Sequence, residues 1–313
     1  MLSYIFQRIL YMIPILFLSS LVIFIALRVS NIDPVTQYII HSNLPPTPEV
    51  IQAIQHDFGL DKPIMEQYWL WLKKAVMLDF GNSYITGRSV SQDFLYFLPQ
   101  TLLLGGCAFV ILLFFSIPLG ILSAMYRDKI PDFIIRFICF LGVSTPSFWL
   151  AFLLIFVFSI KLEWLPPLGL ESAKSLIMPA LSIAFMSMCV NTRLIRSNML
   201  EVKKERHLLY AKLRGLNKTT INLKHTFYNA LLPIVTSFGM HLGEIIGWAL
   251  VVENVFAISG VGLYSVQGFA NHDYPIIQCF VIVMCFIFTL CNLIIDILYA
   301  FLDPRIRRNI EES

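Results

Sequence analysis

EVKKERHLLYAKLRGLNKTTINLKHTFYNALLP, Glu201 to Pro233, is the one long, strongly basic segment between runs of membrane-grade hydrophobicity. Its pattern predicts two short amphipathic helices separated at Gly215. Leu209, Leu213 and Leu216 fall at i, i+4 and i+7 and share one face of the first. Gly215 suits the C′ position, because a left-handed stop costs glycine nothing. Asn217 suits the N-cap of the second helix, where its side chain accepts from an exposed backbone N–H. Pro233 suits the first turn of the apolar run that follows. A basic helical pair held against a membrane reads as a docking element, and the rest of the chain decides what docks there.

The chain is 57% hydrophobic and 14% charged over 313 residues, too apolar for a soluble domain to cover its own surface. The class is therefore an all-α polytopic membrane protein. A bilayer core needs ~20 apolar residues per helix. Six runs qualify, at Ile9–Leu27, Leu102–Tyr126, Phe137–Ile160, Ser175–Thr192, Ala230–Val252 and Pro275–Ile295. Internal prolines such as Pro118 and Pro146 are tolerable because neighbouring helices can satisfy the freed carbonyls. The run at Ile9–Leu27 is long for a cleaved signal peptide and lacks a small-x-small site after it, so it reads as an uncleaved first span. The organisation expected is a first helix at 1–28, an outer loop at 29–100, a five-helix domain at 101–303 that includes 201–233, and a tail at 304–313.

Six spans place both termini on one side. Sixteen Lys and Arg fall on the side of the termini and the 193–230 loop, against seven on the other. The positive-inside rule then makes both termini and the basic loop cytoplasmic. The 29–100 loop is too long for a connector and is expected to fold as a small helical lid, entered through the rigid Leu44–Pro48 stretch LPPTP. The six cysteines lie in apolar runs without a CxxC pair, so neither a disulfide framework nor a zinc knuckle is supported.

The fifth span carries most of the chemistry. Gly239, Gly243 and Gly247 form a doubled GxxxG, a stripe that lets helix backbones approach closely. His241 and Glu244 lie three apart on another face, about 130° away at 100° per residue. Ionisable residues within a span point to a substrate path, because leaving them in lipid is expensive; the alternative is a polar pair satisfied by a neighbouring helix. Met240, and Asn292 with Asp296 on the last span, are further candidates along that path. No catalytic residues are expected: HExxH, GxSxG and a kinase set are absent, and without GxxxxGK[ST] the chain has no P-loop of its own.

Four local patterns resemble, end to end, the inner-membrane permeases of the nickel/dipeptide/oligopeptide ABC importers. They are Phe58–Pro63 with Gln67-Tyr68-Trp69; Asp79-Phe80-Gly81-Asn82-Ser83; Tyr210–Gly215 with Asn229–Pro233; and Glu253–Phe256 through Gly260-Val261-Gly262 to Asp273–Gln278. Lys212, Ser259 and His272 depart from the residues expected of the family. Within it, Ser42–Glu49 and Gly239–Glu244 are most similar to the nickel permease. The resemblance implies a type I importer permease fold, in a bacterial cytoplasmic (inner) membrane, with cytoplasmic coupling helices. It implies as partners a second permease, two ATP-binding subunits, an extracytoplasmic solute-binding protein and membrane lipid, with no nucleic acid. Tyr210, Ala211, Lys212, Arg214 and Gly215 would couple to the ATPases. ATP and Mg would be used by those partners, with no cofactor bound by this chain and nickel, free or chelated, as substrate. A peptide permease and an ion-gradient-driven transporter with His241 and Glu244 as a proton relay are the competing readings.

Overall fold

A computed structural model of the chain describes residues 2–29 and 33–302. The tail read at 304–313 lies outside the described residues. The regular elements are helices, with no strand among the described residues and a single isolated bridge between Asn82 and Ser89. Five helices are long and apolar enough to cross a membrane, and a pair bent by 108° makes a sixth span if its two arms count as one. Five of the six expected spans are thus present as single helices, and two local expectations require correction.

The first concerns the third span, read as one run over Phe137–Ile160. It is broken into α6 (Ile130–Ser144) and α7 (Ser147–Leu154), which continues as a wide helical turn to Lys161, with a bend of 108° between them. Pro146 is the cause. It has no N–H to extend the ladder, and its ring drives the preceding residue out of the helical region. Thr145 accordingly adopts φ −96°, ψ 119°. The hydroxyls of Ser144 and Thr145 donate back to the carbonyls of Phe140 and Leu141, at 3.1 and 2.7 Å, which satisfies groups exposed by the break.

The second concerns Pro233. The second short helix does not end before the fifth span. α10 (Lys218–Thr220), a wide turn at Ile221–Phe227 and α11 (Tyr228–Val255) form one continuous helical path, and Pro233 lies inside α11 rather than in its first turn. The junction residues Ile221 and Tyr228 keep helical dihedrals, so nothing caps the helix there. A proline deletes one hydrogen bond, which a membrane helix can tolerate.

Two compact units emerge. One comprises residues 2–5, Leu102–Ile258 and residues 290–302; the other comprises Phe6–Thr101 and Ser259–Thr289. In the first, α8 (Ile177–Val202) packs on α6, α7 and α11. Ile183, Ile195, Met199, Ile234 and Ile245 are among its large, fully buried side chains. Glycine sets the spacing: a Cβ on Gly120, in α5 (Val90–Met125), would stand 2.6 Å from Ile195 Cβ.

In the second unit the loop expected as a helical lid is helical. It contains α2 (Pro34–Ser42), α3 (Pro48–Asp57) and α4 (Ile64–Val76). Thr47, at the end of LPPTP, caps α3 by accepting from Val50 N. Val35, Ile39 and Ile54 form the small core of α2 and α3, and Phe58 stacks on Tyr84 at 3.9 Å. α1 (Leu2–Val29), α12 (Val261–Ala270) and α13 (Tyr274–Leu302) complete the set.

Candidate functional site

On α11, His241 Nδ1 and Glu244 Oε2 are 2.7 Å apart. One helical turn brings them together, because residues at i and i+3 are neighbours on a helix surface. The imidazole is buried, whereas the carboxylate side chain is 47% exposed. The pair therefore has one sheltered member and one open to whatever passes. Met240 is exposed and points elsewhere on the helix. On α13, Asn292 and Asp296 are half-buried. Between them Ile295 lies against Gly239 so closely that a Cβ there would collide with it. Gly243 is buried, while Gly247 is exposed with open space where a Cβ would go. The stripe thus has one end occupied by this chain's own helix and the other bare. Among the described residues no group of three or more His, Cys, Asp or Glu converges as a metal site.

Asn191 of α8 reaches the same helix. Ser237 Oγ donates to its Oδ1 at 2.8 Å, and its Nδ2 donates to Ser187 O at 2.9 Å. Its amide is committed to holding α8 and α11 in register.

At the basic loop, α9 (Arg206–Leu213) ends as its sequence predicts. Gly215 sits at φ +76°, Leu216 N donates to Ala211 O and Gly215 N to Lys212 O, the paired bonds of a Schellman stop. Asn217 Oδ1 then accepts from Thr220 N at 2.7 Å. Leu208 and Ala211 are buried and anchor α9. Leu209, Tyr210 and Leu213 are exposed by 58%, 65% and 75%. The apolar face drawn from the i, i+4, i+7 spacing thus points away from this chain, flanked by exposed Lys212 and Arg214. Lys203, just beyond α8, donates to Ala124 O at 2.7 Å, and its burial lowers its pKa.

Sequence reasoning missed two networks. Asp132, at the start of α6 and fully buried, accepts from Arg196 Nε and Nη2 at 2.7 and 2.8 Å, from Ser123 Oγ at 2.5 Å and from Asp128 N. This cluster clamps the ends of α5, α6 and α8. In the second unit, Asp273 accepts from Ser83 Oγ at 2.6 Å and from Ile85 N, with Tyr84 N and Ile276 N also facing the carboxylate. Burial raises its pKa against the pull of these donors. Two of the quoted patterns, Asp79–Ser83 and Asp273–Gln278, therefore meet at one carboxylate. A lone Asp beside Pro or Tyr carries no sign of such a partner; only the fold supplies it.

Comparison with known proteins accounts for nearly all of the chain. Residues 116–308 match the family model described as "Binding-protein-dependent transport system inner membrane component". Residues 1–105 match its N-terminal companion, "Binding-prot-dependent transport system membrane comp, N-term". The glutathione transport system permease protein GsiC of Escherichia coli (strain K12) is 34% identical over 311 residues, covering 98% of this chain and 99% of that protein. GsiC of Shigella dysenteriae serotype 1 (strain Sd197) and of Shigella flexneri serotype 5b (strain 8401) match to the same extent. With its membrane-length helices, the chain belongs to the binding-protein-dependent transport system inner membrane components, as a non-catalytic permease subunit of an ABC importer.

Proposed function

We propose that this permease passes nickel, as the ion or as a small chelate, across the cytoplasmic membrane by alternating access. The observation that carries the reading is the His241–Glu244 pair on α11. Imidazole and carboxylate are suitable ligands for a divalent transition ion. Two ligands rather than a closed set suit a transporter, since tight coordination would trap the cargo. Both termini and the 193–230 loop are assigned to the cytoplasm on the Lys/Arg distribution. The exposed Leu209, Tyr210 and Leu213 face, with Lys212 and Arg214 beside it, would seat in one of two partner ATPases. ATP-driven closure of those subunits would rock α11 through the continuous helical path from Lys218. A second permease and a solute-binding protein complete the proposed complex.

His241→Ala and Glu244→Ala are expected to lower nickel uptake at limiting nickel roughly tenfold or more, the effect of losing a contact to a charged group, while the complex still assembles. Uptake at the wild-type level in both variants would remove the pair from the path. The second reading, import of a small peptide, is favoured by the relatives named for glutathione transport. Competition of nickel uptake by glutathione separates the two. Transport that survives ATP depletion while the proton gradient is held would instead point to a gradient-driven carrier.

A further inference from the structure

The second unit holds a cavity of about 970 Å³ that the import mechanism above does not use. It lies wholly within residues 28–87 and the start of α13, on the side assigned as extracytoplasmic. We infer that this cavity receives a small solute by its carboxylate groups before the solute enters the membrane path.

Several observations converge. Gln278 lines the cavity, is 2% exposed, and its Nε2 has no hydrogen-bond partner. The indole Nε1 of Trp71, another lining residue, is likewise buried without an acceptor. Both nitrogens are closed to water, so they mark a polar wall behind the space rather than donors open to it. A carboxylate is acceptor-only, with about four lone-pair sites.

The lining carries both signs of charge, and Arg28 has no carboxylate partner among the described residues. Arg28, Lys62 and Lys74 line the cavity against Asp57 and Asp79. Lys62 is already paired with Glu66 at 3.2 Å, and Asp79 Oδ1 is taken by Gly81 N. Arg28 is fixed in place by its Nε bond to Gln67 at 2.9 Å and by the face of Phe24, 3.4 Å from the ring centroid. A guanidinium held by its edge keeps further donors for a planar anion. Lys74 is exposed at the end of α4 and has no ion-pair partner among the described residues. The volume lies near the top of the ~300–1,000 Å³ typical of small-molecule sites. It suits a polycarboxylate metal chelate or a short peptide and far exceeds a bare ion. These two sources share the carboxylate chemistry.

The inference rests on the import reading for the direction of passage only, and binding tests it directly. The purified transporter with its partner subunits, without ATP or the binding protein, is titrated calorimetrically with nickel citrate, glutathione and nickel chloride. At least one carboxylate probe should bind saturably, and which one identifies the source. Lys74→Glu, at an exposed position, and Arg28→Gln should each weaken that binding roughly tenfold or more. Binding of nickel chloride should not change. Absence of saturable binding by both carboxylate probes overturns the proposal. So does an unchanged affinity in Lys74→Glu and Arg28→Gln, or an effect confined to docking of the binding protein. If His241→Ala spares nickel uptake while these variants lose carboxylate binding, the path assignment fails and this site stands.

Discussion

α8 and α13 are both long enough to cross a bilayer, yet they are used in opposite ways. In the most apolar window of α8, 56% of the residues are buried; in that of α13, 6% are. α13 is the more apolar of the two, so apolarity and burial run in opposite directions. The reason is the solvent. Lipid tails are as apolar as leucine, so burying leucine between membrane helices gains little. Helices associate there through close packing and polar links. α8 buries Ala180, Ser182, Ala184, Ser187, Asn191 and Thr192, and its Asn191 and Arg196 tie it to α11 and α6. α13 presents Phe286, Phe288 and Ile294 outward. In a chain of this kind the most hydrophobic span marks the exposed surface, and the less hydrophobic one marks the centre of the packing.

The sharpest way to break that contrast is to remove Arg196. Arg196→Ala leaves Asp132 fully buried without its counter-charge, and breaking such a pair typically costs about 3–5 kcal/mol. Denaturation in mixed micelles, followed by tryptophan fluorescence, should show that loss. The double variant Asp132→Leu/Arg196→Met should recover most of it, because a well-packed apolar replacement of a buried pair is often neutral. Phe288→Ala on α13 should change stability by no more than about 0.5 kcal/mol, as surface positions generally do. A loss at Phe288 as large as that at Arg196 would erase the distinction between the helices.

Glycines sharpen the comparison at a finer scale. Gly120→Ala pushes a methyl into Ile195 of α8 and should cost about 1–3 kcal/mol by overpacking. Gly247→Ala meets open space within this chain and should leave its stability unchanged. If Gly247→Ala nevertheless reduces co-purification of the second permease, the bare end of the 239–243–247 stripe packs against another chain. If it changes neither, the stripe's function ends at Gly239 and Gly243.

Much of this architecture was legible in the sequence, because the bilayer makes hydropathy and length nearly decisive. The stop at Gly215 and the cap at Asn217 were legible too, since both depend on local backbone chemistry. The bend at Pro146 was misread because proline in a membrane helix permits either a kink or a break, and which one results depends on whether nearby hydroxyls can take up the freed carbonyls. His241 and Glu244 were found because i, i+3 spacing is local. Asp132 and Arg196 are 64 positions apart, and Ser83 and Asp273 are 190 apart. No periodicity links residues at such distances. The arginine was therefore counted for topology rather than seen as one half of a clamp.

Asp273 gives a smaller effect than Arg196 and a more specific one. Asp273→Ala removes a side chain that faces Ile276 N at the start of α13, and loss of such a cap costs about 1 kcal/mol; it also leaves Ser83 Oγ without its acceptor. Asp273→Asn is more informative. Burial raises the native pKa of Asp273 above its ordinary value of 3.8. A raised native pKa means that the folded state holds the proton more tightly than the unfolded one. The contribution to stability is then fully present below about pH 4 and is lost as pH rises through the native value. Wild-type stability, minus that of Asp273→Asn at each pH, should therefore fall with rising pH across that interval and flatten above it. The sign is opposite to that of an ion-paired aspartate, whose contribution appears as pH rises. A difference curve that rises with pH would mean that the donors from Ser83, Tyr84, Ile85 and Ile276 outweigh burial, and that this latch is held as a charged cap.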